Sequence, residues 1–401
     1  MYPNLRYAFY DIFGLDIPAL SLIQTYGFFL ALTFVACGIA LSADLKRREK
    51  LGILQGIEEE VEVGLPLSFM DIISNVIMGF ILGFKGVYAI IHPKLFIGNN
   101  AKDNLFSMDH GYWWAGIIIA AFLVFIKYRD KIKECTEYPN RQKITKTIMP
   151  HQRVTDIVIL AAISGVIGAK LLYMTERDYP TWSAMIEDFF SGSGLAVYGG
   201  FILAFFVVSY YVRSKKIPLP QLFDACAPAM ILGTGLGRLG CHFSGDGDWG
   251  DPNPFAKPFA WLPDWLWAYN YPNNVMNTNL LMEDCYYPAD FGDYCHMLSK
   301  PVFPTPIFEL IICLIIFAIL WKLRHKVQLH GIVFTVYLFF TGLQRFLLEM
   351  IRVNDDYTVA GLSLSQAQYI AVILMVLGFG LTSIMLIKQK KMPVSGNNTT
   401  A

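Results

Sequence analysis

Two arginines lie in strongly apolar surroundings, and their spacing suggests that they bind an anion. Arg238 belongs to GTGLGRLGCHFSGDGDWG, whereas Arg345 precedes Glu349 by four residues in GLQRFLLEMIR. Residues four apart share one face of a helix. A charge at the edge of the hydrocarbon is costly and marks a functional site by default. Arginine keeps its charge and binds phosphate through two N–H groups. The pattern therefore predicts an anion site, with a buried structural ion pair as the alternative.

The GLGRLG segment also satisfies the G-x-G-x-x-G pattern of a dinucleotide-binding turn. That turn requires a strand before it and a helix after it. Here the segment ends an apolar run, LFDACAPAMILGTGLGRLG, and no neighbouring segment offers a parallel strand. The dinucleotide interpretation therefore fails. We interpret the glycines as residues that let a membrane helix pack closely and then unwind near the outer membrane face.

Composition places this arginine pattern in a membrane protein. Hydrophobic residues make up 55% of the 401 residues and charged residues only 16%, whereas soluble domains carry about 25% charged residues. Several apolar runs approach the roughly 20 residues that cross a bilayer. The formal net charge is zero, so nothing favours a nucleic-acid partner. We predict an all-α fold: a polytopic bundle of transmembrane helices forming a single integral membrane domain, 1–401.

The apolar runs predict about nine spans. They lie near 20–42, 69–91, 112–127, 154–174, 194–212, 221–241, 306–323, 331–350 and 366–387. The first run lacks a basic flank and a clear cleavage site, so it is a retained helix rather than a signal peptide.

Basic clusters predict the orientation of the bundle. Clusters such as DLKRREK, KYRDKIK and KLRHK follow the odd-numbered spans, which the positive-inside rule makes cytoplasmic. The N-terminus is then outside and the C-terminus cytoplasmic. The segments 44–68 and 128–153 become cytoplasmic loops, and the aromatic-rich segment 251–303 becomes a periplasmic loop. The acidic stretch near Glu58 is interpreted as a solvated segment.

The seven cysteines show no metal-binding pattern. Cys37, Cys226 and Cys313 fall inside apolar spans, where free thiols act as small hydrophobic residues. Cys285 and Cys295 lie in the outer loop, where a disulfide could persist. We expect no metal and no cofactor, because no Cys or His cluster has ligand spacing.

Four motifs together resemble the prolipoprotein diacylglyceryl transferase family. They are YGFFLAL at Tyr26, DACAPAMILGTGLGRLGC, FPTPIFE at 303–309, and GLQRFLLEMIR. In that family a Y-G opens the first helix and H-G-G opens a later one. G-R-x-G-(N/C)-F-x-N-G, P-S-x-L-Y-E and Y-G-x-x-R-x-x-x-E follow. The motifs occur in the family's order over most of the chain, and the two arginine motifs are the specific part.

The resemblance implies an enzyme of the bacterial inner membrane. It would transfer the diacylglyceryl group of phosphatidylglycerol, a membrane lipid, to the lipobox cysteine of prolipoprotein signal peptides, releasing glycerol phosphate. Arg238 would hold the lipid phosphate. Arg345, oriented by Glu349, would contact the same head group or the developing charge. Tyr26 would hydrogen-bond in the same cavity, and Gly250 would close the outer-face motif.

The sequence departs from the family pattern in several predicted helices. Tyr198 replaces the histidine of H-G-G, immediately before Gly199 and Gly200, and we expect all three to line the cavity. Thr341 replaces the tyrosine before G-x-x-R. The spans near 69–91 and 112–127 are additional to the family's usual seven.

The arginine motif departs from the family pattern as well. Cys241 is a tolerated variant, whereas His242 replaces phenylalanine. One extra residue precedes Trp249, and Asp246 and Asp248 add two carboxylates. We expect Cys241, His242 and Asp246 to bind substrate together with Arg238.

The expected chemistry needs a thiolate and a stabilised phosphate leaving group. The two arginines meet the second need. The base is left open, because a phenol such as that of Tyr198 is a poor base at neutral pH, and His242, Asp246, Asp248 or the arginines alone could act instead. Two alternatives to an active transferase remain. One is a catalytically altered relative that binds lipid head groups without transfer, and the other is a lipid-handling scaffold.

Overall fold

The computed structural model describes residues 1–96, 109–140, 142–189, 196–282, 294–327, 329–352, 356–359 and 362–391. Long helices dominate these residues, and three short helices lie between them. In chain order the helices are α1 (Leu5–Phe13), α2 (Thr25–Lys50), α3 (Phe69–Ile91), α4 (Trp113–Glu137), α5 (Val154–Thr175), α6 (Trp182–Phe189), α7 (Val197–Ser214), α8 (Leu219–Ser244), α9 (Asp264–Trp267), α10 (Thr305–Leu323), α11 (Ile332–Glu349) and α12 (Gln366–Lys391).

Apolar length marks this chain as a polytopic helical membrane protein. Among the described residues, six helices are long and apolar enough to cross a membrane: α2, α3, α5 with its preceding turn, α10, α11 and α12. The other three long helices, α4, α7 and α8, coincide with predicted spans.

The prediction of an all-α fold is incomplete. Strands β1 (Ile57–Val63) and β2 (Gln142–Ile148) pair antiparallel, with Ile57 opposite Ile148. Two smaller antiparallel pairs join β3 (Leu280–Leu281) to β4 (His296–Met297) and β5 (Asp356–Val359) to β6 (Leu362–Ser365). Hydropathy did not predict them, because β1 and β2 are rich in charged and polar residues.

The segments 44–68 and 128–153 are not loops throughout. Helix α2 continues to Lys50 before β1 begins, and α4 continues to Glu137 before β2 begins. The acidic stretch is more than a solvated segment: Glu59 Oε1 lies 2.7 Å from Arg153 Nη2 and 3.1 Å from Lys215 Nζ. These ion pairs tie β1 to the start of α5 and to the turn before α8.

Helix α8 packs against α2, α10 and α11. One apolar cluster joins its first half to Leu41, Leu45 and Ile157, and a second joins Ile231 to Cys313. Small residues permit this close approach. A Cβ added at Gly233 would lie 2.7 Å from Cys37 Sγ, and one at Gly235 would lie 2.8 Å from Cys313 Cβ. The predicted packing role of these glycines is confirmed.

The predicted unwinding within GLGRLG is wrong. The helix continues through Gly240 to Ser244. It ends at Gly245, whose φ of 65° is left-handed, a conformation that glycine adopts without a Cβ penalty.

The two ends of the bundle differ in composition. At one end the amide of Tyr2 donates to the Phe243 carbonyl at 2.7 Å, and the Tyr7 ring packs edge-on against Tyr294. The N-terminal segment therefore lies beside the region that follows α8. At the other end, the basic segments that follow α2, α7 and α10 lie near the β1–β2 sheet and the Asp44 carboxylate. Cys295 is disulfide-bonded, and Cys285, its predicted partner, lies outside the described residues.

Candidate functional site

The turn after α8 brings two carboxylates back over the last turns of that helix. The Gly245 amide donates to the Cys241 carbonyl at 3.0 Å, and the left-handed Gly245 then reverses the chain. The Asp248 amide donates to Asp246 Oδ1 at 3.3 Å. This geometry places the Asp248 carboxylate against Arg238, whose Nη1 donates to it. The Arg238 guanidinium also lies 3.8 Å from Cys241 Sγ.

Gly250 joins three separate segments at this turn. Its amide donates to the Phe303 carbonyl at 2.9 Å, and the next amide, of Asp251, donates to the Ile351 carbonyl at 2.9 Å. A Cβ at Gly250 would overlap the Ile351 carbonyl oxygen and lie 2.8 Å from Thr305 Cγ2. Any larger residue would push the start of α10 and the end of α11 away from the turn. Gly250 is therefore a close-packing residue of the site.

Each of the two predicted arginines lies beside a glutamate. The partner of Arg238 belongs to another helix, and the partner of Arg345 lies one turn further along the same helix. Arg238 Nε lies 2.7 Å from Glu309 Oε2, and Gln344 Nε2 donates to Glu309 Oε1 at 2.9 Å. Arg345 Nη2 lies 3.1 Å from Glu349 Oε2, as the four-residue spacing predicted. Ser365 Oγ donates to the second oxygen of Glu349 at 2.8 Å.

The structure adds two charged residues that we did not predict from the sequence. Arg352 Nη2 lies 2.5 Å from Asp248 Oδ1, so Asp248 bridges Arg352 and Arg238. Glu309 orients Arg238 from α10. Both lie in motifs already noted, FPTPIFE and GLQRFLLEMIR, and their charge within apolar runs was the available signal. Burial alone would raise the pKa of Asp248, but Arg238, Arg352 and Arg345 hold it below its usual range.

Asp246 lies in the same turn but in a different electrostatic environment. Burial raises the pKa of its carboxyl, the neighbouring Asp248 raises it further, and Cys241 and Arg238 only partly oppose the rise. Tyr26 approaches from α2: a Cβ at Gly240 would lie 3.1 Å from Tyr26 Cδ2. The charges of Arg238 and Asp246 act on its hydroxyl. The structure therefore brings Tyr26 to the same cluster.

His242 is buried beside the cluster. Only 3% of the residue is exposed, and its Nδ1 lies 3.2 Å from Tyr271 Oη, between the rings of Tyr269 and Tyr271. A side chain enclosed in this way supports the fold of the outer segment and is poorly placed to reach a substrate.

Tyr198, Gly199 and Gly200 lie on α7, where the two glycines pack against α5. A Cβ at Gly200 would lie 2.8 Å from the Gly165 carbonyl oxygen, and a Cβ at Gly199 would overlap the Gly168 carbonyl oxygen. Tyr198 is 39% exposed. In the part of the chain that the structure describes, no hydrogen bond or ion pair connects these three residues to the Arg238 cluster. Their cavity role stays a prediction.

Cys241, Asp246 and Asp248 are close enough to suggest a cation site, with ligand atoms within 4.8 Å of one another. The Arg238 guanidinium contacts both Cys241 and Asp248, and its positive charge opposes a metal ion there. The expectation that no metal is bound stays a prediction.

The fold and the site thus define a polytopic helical membrane protein with arginines gathered around carboxylates at one end of the bundle. The model of the prolipoprotein diacylglyceryl transferase family matches residues 105–384. The chain therefore belongs to that family. The matched range includes the predicted span 112–127, which we had expected to be additional, and it leaves out Tyr26.

Similar proteins carry the name phosphatidylglycerol–prolipoprotein diacylglyceryl transferase. One from Leptospira interrogans is 29% identical over 223 residues, which cover 49% of this chain and 61% of that protein. One from Dehalococcoides mccartyi is 29% identical over 245 residues, or 60% of this chain and 80% of that protein. One from Corynebacterium glutamicum is 28% identical over 217 residues, or 53% and 63%. The chain thus spans less than two thirds of the Leptospira and Corynebacterium relatives.

Proposed function

We propose that the protein transfers the diacylglyceryl group of phosphatidylglycerol to the lipobox cysteine thiol of prolipoproteins. The reaction forms a thioether and releases glycerol phosphate, which is the first step of lipoprotein maturation. The observation that carries this proposal is the convergence of arginines from two family motifs, Arg238 and Arg345 with Arg352, around one partly exposed carboxylate. The names of the relatives support the same reaction.

The arginines bind the phosphate of the lipid in this scheme. Glu309 holds Arg238 by its Nε edge, and the Nη edge, where Nη1 donates to Asp248, is the edge that an anion would bind. Glu349 instead holds Arg345 through Nη2, at 3.1 Å. As the bond between the glycerol carbon and the phosphate oxygen breaks, negative charge grows on the phosphate. Preorganised guanidinium groups stabilise that charge most in the transition state.

Asp246 is the group best placed to accept the thiol proton. His242 is enclosed by tyrosines, and Asp248 is bound by two arginines that weaken it as a base. The raised pKa of Asp246 makes it a stronger base than an ordinary carboxylate.

Asp246 takes the thiol proton, and the sulfur forms a bond to the glycerol C3 carbon. The C–O bond to the phosphate breaks, and its electron pair stays on the phosphate oxygen of the departing glycerol phosphate. The proton on Asp246 then passes to water.

This assignment predicts a pH effect. Asp246 must be ionised to act, so activity should fall as the pH drops through its raised pKa. Arg238, Cys241 and Asp248 are the charged and titratable groups that set this pKa most strongly. Asp246→Asn should remove this acidic limb and lower kcat/KM by about 100-fold. The measurement is a rate–pH profile of both proteins, with Asp264→Asn as the control, since Asp264 lies in the outer segment and pairs with Lys257. An unchanged acidic limb in Asp246→Asn would show that another group accepts the proton.

We also propose a topology for the chain. Nine helices span the bacterial inner membrane, with the N-terminus outside, the C-terminus in the cytoplasm, 44–68 and 128–153 cytoplasmic, and 251–303 periplasmic. The grouping of the basic segments at one end supports this orientation. A reporter fused after Lys391 should be active only in its cytoplasmic form, and activity of a periplasmic reporter there would reverse the orientation.

The central experiment is a lipid-transfer assay in cells depleted of their own transferase. Cells expressing this protein and supplied with radiolabelled palmitate should produce labelled prolipoprotein, and purified protein should release glycerol phosphate in proportion. Lipid binding without transfer would instead identify a catalytically altered relative. A result with no lipid binding and no transfer would favour a scaffold role.

A further inference from the structure

Asp248 occupies the place where an anion would meet the arginines. Its Oδ2 accepts from Arg238 Nη1, and its Oδ1 lies 2.5 Å from Arg352 Nη2. Arg345 also acts on it electrostatically. Two oxygens of one group thus bind two guanidinium groups from separate motifs. The two non-bridging oxygens of a phosphodiester would make the same pair of contacts.

The other two carboxylates that bind these arginines, Glu309 and Glu349, are more buried than Asp248. Glu309 and Glu349 have side chains only 4% and 2% exposed, and Gln344 and Ser365 hold their second oxygens. The Asp248 side chain is 27% exposed. It also lies in a turn that contains two glycines of positive φ, Gly245 and Gly247. Glu309 and Glu349 are therefore each held against a single arginine. Asp248 is accessible and bridges two arginines.

Charge explains why such a bridge matters. Arg238, Arg345 and Arg352 are balanced by Asp248, Glu309 and Glu349, and Asp246 adds a further carboxyl group, so an incoming phosphate adds negative charge to a cluster without net positive charge. It also needs donors that Asp248 already uses. We propose that Asp248 is an internal competitor for the phosphate of substrate and product, displaced when the lipid binds and returning when glycerol phosphate leaves. This inference rests on the proposed function and assigns Asp248 a role in product release.

The role has a kinetic consequence. The departing glycerol phosphate is a phosphomonoester, which carries more negative charge than the phosphodiester of the lipid, so the arginines hold the product more strongly than the substrate. A carboxylate that can retake Arg238 and Arg352 shortens the lifetime of the product complex. Without it, both ligands bind more tightly and turnover is limited by release.

The test is a matched pair of variants. Asp248→Asn removes the competitor, whereas Asp246→Asn removes one negative charge from the same turn without freeing an arginine donor and keeps the Oδ1 acceptor for the Asp248 amide. Calorimetry with glycerol phosphate should show about tenfold tighter binding to Asp248→Asn and a change of less than about twofold in Asp246→Asn. In the transfer assay, Asp248→Asn should lower both KM for the lipid and kcat.

The opposite results would overturn the inference. If Asp248 only positions Arg238, as Glu309 does, Asp248→Asn should bind glycerol phosphate no better, or more weakly, than the wild type. Equal tightening in both variants would indicate a general charge effect and not competition. Asp248→Ser should reproduce the tighter binding, which guards against misfolding of one variant.

The calorimetry does not depend on catalysis. Tighter binding without any transfer would therefore refute the proposed function while supporting the competitor, and transfer without tighter binding would do the reverse.

Discussion

Two clusters of arginines around an aspartate occupy opposite ends of the bundle. Near the end of α2, Asp44 accepts from Arg47 Nε at 2.9 Å, from Arg48 Nε at 2.7 Å and from Arg324 Nη1 at 2.9 Å. After α8, Asp248 bridges Arg238 and Arg352. Because α2 and α8 run antiparallel, with Tyr26 beside Gly240 and Leu45 near Leu222, the two clusters lie at opposite ends.

Accessibility separates the two clusters. The Asp44 side chain is 0% exposed, and the Arg324 guanidinium stacks on the Trp321 ring. Such an enclosed network can only clamp α2 to α10. The Asp248 side chain and those of its arginines remain partly exposed, so a ligand can compete for the same donors. The residue types are the same, and the two central aspartates differ in burial: Asp44 is enclosed, whereas Asp248 is partly exposed.

The largest effect should follow the removal of Arg238. Arg238→Ala should lower lipid transfer by about 1,000-fold, because it removes the guanidinium that lies against Glu309, Asp248 and Cys241 together. Arg238→Lys should restore little, since an ammonium group is a point charge. The assay is transfer to a prolipoprotein, measured alongside the amount of folded protein in the membrane. Activity of the Ala variant close to wild type would refute the phosphate-binding role of Arg238.

Removal of Asp44 should affect stability instead. Asp44→Asn leaves the buried Arg48 and Arg324 and the partly exposed Arg47 without their shared carboxylate, which should cost about 3–5 kcal/mol of unfolding free energy. Thermal unfolding in detergent measures the loss. The fraction that remains folded should transfer lipid at the wild-type rate per molecule. A stable variant with reduced transfer would mean that this end of the bundle takes part in function and that the contrast between the two clusters is wrong.

The smallest effect is expected at Tyr198, outside both clusters. Tyr198→Phe removes one partly exposed hydroxyl, so activity should fall about two- to tenfold. Tyr198→His should be tolerated, because the family has histidine at this position. Steady-state kinetics of both variants provide the test. A phenylalanine variant as inactive as Arg238→Ala would place the hydroxyl in the chemistry.

The amino-acid sequence by itself determined the helices and the principal arginines. Hydropathy depends on runs of neighbouring residues, and each of the nine predicted spans coincides with a long helix in the described part of the chain. The Arg345–Glu349 pair was predictable because four-residue spacing places both side chains on one helical face. GLGRLG was correctly assigned to helix packing, because its flanking sequence is apolar and offers no strand.

Tertiary structure alone decided which charges meet and which stay apart. Asp248 and Arg352 are 104 positions apart, and Arg238 and Glu309 belong to different helices, so no local pattern relates them. The β1–β2 pairing and the enclosure of His242 likewise depend on distant segments. Local periodicity indicates which residues share one face of a helix, whereas the packing of whole helices determines which charged residues lie next to each other. For this protein, packing made one Arg–Asp cluster a clamp and left the other partly exposed.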